Sequence, residues 1–283
     1  MDFTVDHDAP MNEPTRRAFL RGVSLTGACA LAAGFVGPMR VAVAAAAPRW
    51  WERLDAARAV VGGATPFEIG IALDLPLLSE DGSNVPLTVS VDSPMSEAAH
   101  VREIHLFATR NPTPQIAAIR LTPALGRAIV ATRVRLGETQ TVGAIAKLSD
   151  GTVRVAAREV RITTSGCFVR ADAGTADDMT PRVRVPAKFA ANKPAEIVTL
   201  ISHPMETGLR PDANGNIVPQ RIVKGFVASL DGAPLFEVDL FRSVAANPYF
   251  RFFLTPKRAG AVDFAWTEET GRRATASASF AVE

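Results

Sequence analysis

Few residues of this chain are suited to chemistry: its 283 residues include two cysteines, four histidines and one tyrosine. Cys167 has the most informative surroundings, because it lies in the run RITTSGCFVR at 161–170. A segment that alternates like a strand precedes this run, and small polar residues follow it at 171–178. Connecting segments run over protein surfaces, and Gly166 allows backbone conformations that a side chain forbids. The pattern therefore predicts an accessible thiol on a flexible arm formed by residues 165–170.

The N-terminus predicts export. The run TRRAFLR at 15–21 fits the twin-arginine pattern, an apolar stretch follows to about residue 38, and small residues at 42–46 offer cleavage sites. Glycines and a proline interrupt the apolar stretch, which argues against a membrane anchor. A lipoprotein interpretation of Cys29 is disfavoured because Leu25 lies four residues before it instead of three. We expect residues 1–46 to be a cleaved signal and the mature protein to be periplasmic.

Cleavage would leave Cys167 as the only cysteine. A lone cysteine in an oxidising compartment has no internal disulfide partner. It is then either an inert buried side chain, since free cysteine packs as a small hydrophobe, or a reactive thiol. Gly166 and the polar neighbours favour the reactive thiol.

The remaining candidates do not predict a catalytic, metal or cofactor site. His100 and His105 have the odd spacing of opposite strand faces, and His203, in the run SHPMETG at 202–208, is more typical of a structural histidine than of a base. No phosphate loop, nucleophile elbow or zinc motif occurs. A catalytic cysteine needs a base or another source of thiolate stabilisation, and the charges of Arg161 and Arg170 would be screened. The pattern favours a thiol that carries cargo while other proteins supply the catalysis.

Composition excludes several partners. The net charge of +2 gives no indication of nucleic acid binding, and no internal run approaches a membrane span. The 47% hydrophobic fraction supports packed cores.

Turn-punctuated short segments predict an all-β protein. After a short helix within 47–64, strands are expected at 67–73, 86–92, 101–108, 115–121, 128–136, 142–148 and 152–162, with a polar turn at 79–84. A second set is expected at 182–185, 195–201, 221–230, 235–241, 249–255, 261–267 and 275–282, with a hairpin at 227–236. This spacing predicts two immunoglobulin-like β-sandwich domains in tandem, preceded by the export signal and the helix.

Several runs resemble the SoxY and SoxZ families. SNVPLTVSVDSPM at 83–95, IHLFA at 104–108 and TQTV at 139–142 are similar to SoxY. TLISHPMETG at 199–208 and ANPY at 246–249 are similar to SoxZ. The resemblance covers about residues 65–283 and identifies a SoxY–SoxZ fusion. The domains expected are a SoxY-like first domain at 65–170, a linker at 171–180 and a SoxZ-like second domain at 181–283.

The resemblance implies two immunoglobulin-like domains that pair within the chain and serve periplasmic thiosulfate oxidation. Cys167 falls on the position that carries thiosulfate-derived sulfur covalently between haem, metallohydrolase and molybdenum–haem enzymes. The chain departs from the family's glycine-rich tail, because Ser165, Phe168 and Val169 replace glycines and the arm continues into the second domain. We therefore expect Ser165, Gly166 and Phe168 to set the flexibility of the arm.

Two other functions stay open. SoxYZ-like fusions are also associated with quinoprotein dehydrogenases, for which the chain would carry or escort a different cargo. A purely structural pair of sandwiches with an incidental cysteine is the third possibility.

Overall fold

The computed structural model describes residues 49–165 and 178–283, in which β-strands dominate. The strands of the first domain are β1 Ile71–Asp74, β2 Leu78–Asp81, β3 Val85–Val91, β4 Val101–Ala108, β5 Gln115–Leu121, β6 Ala128–Val134, β7 Gln140–Leu148 and β8 Val153–Thr164. Those of the second domain are β9 Pro181–Arg184, β10 Lys188–Phe189, β11 Ala195–Ile201, β12 Val223–Leu230, β13 Ala233–Leu240, β14 Tyr249–Leu254, β15 Gly260–Glu268 and β16 Arg273–Val282. The predicted all-β, immunoglobulin-like class is confirmed.

The strands form two sheets that both cross the boundary between the domains. The six-stranded sheet has the order β1-β3-β6-β14-β11-β9, and the ten-stranded sheet has the order β10-β16-β15-β12-β13-β5-β4-β7-β8-β2. In the larger sheet β5 pairs antiparallel with β13 from Phe236↔Leu121 to Leu240↔Ala117. In the smaller sheet β6 meets β14 at Arg251↔Ala131. The tandem sandwiches are thus joined edge to edge by backbone hydrogen bonds.

A single hydrophobic core lies between the sheets and continues through both domains. Its second-domain part is aromatic: Phe236 stacks on Phe252 with ring centroids 4.3 Å apart, and Phe226 lies 4.9 Å from Trp266. Offset and edge-to-face aromatic pairs add stability beyond the area that they bury. These aromatic side chains belong to the continuous core, whereas Phe253 is only half-buried and lies beneath the Arg127 guanidinium.

On the outer face of the larger sheet, the N-terminal segment forms a second, smaller core. A 3-10 turn, Trp50–Arg53, leads into the helix α1, Asp55–Val61. Ala57 and Val61 pack with Phe107 and Ile145 of the sheet. The expected helix at this position is present, and no helix in the described part of the chain is long and apolar enough to cross a membrane.

Several predicted boundaries are wrong. The strand predicted at 67–73 begins only at Ile71. Phe67, before it, makes an isolated parallel bridge to Arg154 of β8. Within the polar turn expected at 79–84, residues 79–81 belong to β2, which pairs parallel with β8 along the sheet edge. The short β10 was not predicted. The hairpin of β12 and β13 is confirmed, and its turn places Asp231 and Gly232 at φ 48° and 85°.

Candidate functional site

The last residues of β8 lead to Cys167, and we call residues 161–165 the arm root. β7 accompanies β8 only as far as Gln140↔Val160. Beyond that point β2 pairs with β8 on one side as far as Asp81↔Thr164. The Ile162 N–H donates to the Thr139 hydroxyl at 3.0 Å, and the Gly82 N–H donates to the Thr164 carbonyl at 2.9 Å. The chain is therefore held in a fixed direction up to Thr164.

Ser165, the one predicted arm residue that the structure describes, is half-buried. Its hydroxyl oxygen is buried and has no hydrogen-bond partner among the described residues. Cys167, Gly166 and Phe168 lie outside the described residues, as does the predicted signal at 1–46. The attachment role of Cys167 and the roles of Ser165, Gly166 and Phe168 in arm flexibility remain predictions.

The two motifs of the second domain contact each other. Asn247, at φ 54°, accepts the His203 backbone N–H on its side-chain oxygen at 3.0 Å, and its own N–H donates to the His203 carbonyl at 2.8 Å. Met205 has the same left-handed conformation, with φ 48°. The sharp turn of 202–208 is thus stabilised by the run that contains Asn247.

Arg135 of the first domain binds that turn. Its guanidinium donates to the Pro204 carbonyl at 2.8 Å and to the Met205 carbonyl. The Arg135 backbone N–H also donates to the Ser243 carbonyl at 2.7 Å. Leu136, the next residue, donates its N–H to the Gly82 carbonyl, which connects this contact to the arm root. The signature turn of the second domain therefore lies at the arm end of the fused sandwich.

His203 is completely buried and pairs with an equally buried carboxylate. Its Nε2 lies 2.9 Å from Glu268 Oε1, and its Nδ1 accepts the Met205 N–H at 3.0 Å. This arrangement places the ring proton on Nε2 and leaves no ring nitrogen facing solvent. The interpretation of His203 as a structural histidine, not a general base, fits this geometry.

Glu268 is ionised at neutral pH despite its position. Burial opposes its charge, but hydrogen bonds from Thr270 and His203 and the charge of Arg272 outweigh burial and hold the pKa of Glu268 below its ordinary value. Guanidinium nitrogens of Arg272 and Arg221 lie 3.5 Å and 3.7 Å from Glu268 Oε1. Glu268 and its partners thus stabilise the beginning of the 202–208 turn through His203.

The two other histidines in the described part of the chain, His100 and His105, form no common site. His100 precedes β4 and bonds the Ser96 carbonyl, so the predicted placement of both histidines within one strand is wrong. His105 lies 3.1 Å from Glu103, and that hydrogen bond, with help from Lys147, outweighs partial burial and lowers the pKa of Glu103. Within residues 49–165 and 178–283 no three acidic, histidine or cysteine side chains are grouped so that they could bind a metal.

A cleft of about 690 Å³ lies where the domains meet at the other end of the sandwich. The β3–β4 loop at Met95 and the β14–β15 loop at Lys257 line it. The β3–β4 loop leads into the first residue of β4, which lies beside the start of β8. The arm root is at the opposite end of β8, so the cleft is remote from it.

Sequence reasoning missed Arg135, Asn111 and Ser243 as residues of this end of the molecule. Polar residues near predicted turns are normally solvated, and no periodicity marks these three as buried. The one available signal was TQTV at 139–142, which contains two residues that contact this region.

Two protein-family models match successive parts of the chain. Residues 57–167 match the model of SoxY, sulfur oxidation protein SoxY, and residues 183–279 match that of SoxZ, sulphur oxidation protein SoxZ. A comparison with curated proteins finds no similar sequence.

Part of the chain is also similar to solved structures. The sulfur carrier protein SoxY from Chlorobium limicola f thiosulfatophilum is 27% identical with a TM-score of 0.33, and the match covers 39% of this chain and 96% of that one. A superoxide reductase (neelaredoxin) from Ignicoccus hospitalis is 17% identical with a TM-score of 0.31, over 37% of this chain and 86% of that one.

Proposed function

Because the chain joins a SoxY domain and a SoxZ domain in one polypeptide and so belongs to these sulfur oxidation families, we propose that it is a non-catalytic carrier of thiosulfate-derived sulfur. The cargo is held covalently on Cys167. The chemistry on that cargo is supplied by partner enzymes and not by this chain.

The observation that carries the proposal is the extent of the SoxY match, which ends at residue 167, the cysteine itself. The structure supports this assignment by leading β8 to Thr164, three residues before the thiol. The arm root, residues 161–165, contains no carboxylate and no histidine. A thiol without its own acid–base groups suits a carrier.

Loading is a two-electron oxidation. A sulfur–sulfur bond forms between the Cys167 thiolate and the outer sulfur of thiosulfate, the thiol proton goes to water, and a haem partner accepts both electrons. Hydrolysis by a metallohydrolase and oxidation by a molybdenum–haem enzyme would then act on the bound adduct. The twin-arginine sequence supports a periplasmic location for these encounters.

A second candidate is a carrier or accessory protein for a periplasmic quinoprotein dehydrogenase with a different cargo. It is favoured by the bulk of Phe168 near the thiol and by the second tether, since β9 begins at Pro181. An arm held at both ends reaches less far into an enzyme channel than a free tail.

The first test is the reactivity of the Cys167 thiol with iodoacetamide in the folded protein. Both carrier functions predict labelling of the native chain at a rate close to that of the denatured chain. Labelling that requires denaturant would reject them in favour of an incidental, buried cysteine. The two carrier functions are distinguished by intact-mass spectrometry of the protein after incubation with a quinoprotein dehydrogenase and its substrate. A covalent adduct formed under these conditions would favour the second candidate.

A further inference from the structure

A cluster of buried polar side chains joins the two domains next to the arm root. Asn111 and Ser243 are each 4% exposed and Gln140 is 3% exposed. Asn111 and Gln140 belong to the first domain, whereas Ser243 belongs to the second. Buried polar groups destabilise a fold unless they are hydrogen-bonded, so the partners of each group decide what the cluster does.

Asn111 uses its full hydrogen-bonding capacity. Its Nδ2 donates to the Ser243 hydroxyl and to the Arg135 carbonyl, both at 2.8 Å. Its Oδ1 accepts the Gly137 N–H at 2.9 Å and the Gln140 amide at 2.8 Å. An asparagine side chain offers two donors and two acceptor positions, and all four are occupied. Fully satisfied buried networks fix one arrangement of the groups that they join.

The network continues from Asn111 to the arm root. Asn111 Oδ1 holds both ends of the turn 137–140. Within that turn the Thr139 hydroxyl accepts the Ile162 N–H at 3.0 Å. Because β7 pairs with β8 only up to Val160, this hydroxyl extends the β7 side of the ladder by one contact. A shift of the turn would release the Ile162 amide.

Ser243 is the second domain's contribution. Besides accepting from Asn111, its hydroxyl donates to the Thr113 carbonyl at 3.0 Å, and its carbonyl accepts the Arg135 N–H. The second domain therefore contacts both the Asn111 side chain and the Arg135 backbone through this one residue.

We propose that Asn111 is a positioning residue that couples the second domain to the arm root. In this arrangement the second domain sets the direction and rigidity of the arm root, the segment that precedes Cys167. The inference rests on the proposed function only in taking the arm as the carrier of cargo. The coupling between the second domain and the arm root does not depend on any cargo.

The test is hydrogen–deuterium exchange of the full mature chain carrying Ser243→Ala. Loss of one hydrogen bond from the network predicts roughly five-fold faster exchange in the segment 158–165, with unchanged exchange in β15 and β16 of the second domain. The matched control is Thr255→Val, which removes another side-chain hydrogen bond between the domains, from Thr255 to the Leu125 carbonyl at 3.2 Å. Its effect should not reach the arm root.

A second pair of variants tests the last step without touching the contact between the domains. Thr139→Val removes the acceptor of the Ile162 amide and should accelerate exchange at 158–165 by a similar factor. Thr141→Val, two residues along, should leave that segment unchanged. The coupling is refuted if Ser243→Ala leaves 158–165 unchanged, or if Thr255→Val accelerates it equally. Failure of Cys167 to accept sulfur would count against the proposed function alone, because exchange is measured on unloaded protein.

Discussion

Phe236 offers a direct test of whether the two domains unfold as one unit. Its ring is completely buried, stacks on Phe252 at 4.3 Å and meets Phe226 and Phe250 edge-on at 6.1 and 6.0 Å. Its backbone pairs with Leu121 of the first domain. Phe236→Ala therefore removes a ring at the junction between the two halves of the core.

The expected loss follows from the burial. Replacing a fully buried phenylalanine by alanine costs about 3–5 kcal/mol of unfolding free energy. For a chain of this size each kcal/mol corresponds to a shift of about 2–4 °C in the melting temperature. We expect Phe236→Ala to lower a single melting transition by roughly 6–20 °C.

The assay is differential scanning calorimetry combined with hydrogen exchange. In one cooperative unit, the slowest amides of β3 and β4 lose protection together with those of β12 and β15. Phe189→Ala is a second variant of the same core, because Phe189 packs on Phe280 at the far edge of the second domain, with ring centroids 4.9 Å apart. In one cooperative unit it should lower the same single transition. Two separate calorimetric transitions, of which Phe236→Ala moves only one, would refute the continuous core as the basis of cooperativity.

Three further predictions concern other sites. Glu268→Gln should make the unfolding free energy depend less steeply on pH under acidic conditions. The pKa of Glu268 is lowered in the folded protein, so its contribution to the unfolding free energy is complete above the ordinary pKa of 4.5 and is lost as the pH falls through the folded pKa. Chemical denaturation as a function of pH, with exposed Glu97→Gln as the control, would contradict this if the two variants had the same slope. Gly143→Ala should displace Trp50, because the new methyl group would lie 2.4 Å from the Trp50 ring, and should cost about 1–3 kcal/mol of unfolding free energy. Gly225→Ala is the control, because the space around Gly225 is open. An unchanged Trp fluorescence spectrum in Gly143→Ala would show that Trp50 is not displaced. Phe168→Gly should loosen the arm and speed adduct transfer to a deep enzyme site, whereas slower loading would mean that a partner contacts Phe168.

Much of the fold follows from the sequence because core strands alternate in polarity. β4, β5 and β11 have the predicted bounds, since each is flanked by turn residues. β2 was missed because Leu78 is exposed and residues 79–81 are polar, so only backbone pairing with β8 makes it a strand.

The sheets shared between the domains could not be predicted in the same way. The pairing of β5 with β13 depends on which strand edges meet, and strand periodicity contains no information on that choice. The buried positions of Asn111 and Arg135 likewise depend on groups from the second domain. The proposed role of Cys167 rests on its residue type and on the predicted loss of Cys29 with the signal, and it remains a prediction.

The central claim is that Cys167 accepts sulfur, and intact-mass spectrometry tests it most directly. The mature chain is incubated with thiosulfate and the haem-containing oxidising enzyme, beside a Cys167→Ser variant with the same fold. We predict a covalent thiosulfate adduct on the wild-type chain, reversed by reductant, and an unmodified variant. An adduct on Cys167→Ser, or an unmodified wild-type chain whose thiol reacts with iodoacetamide, would contradict the assignment of a thiosulfate carrier.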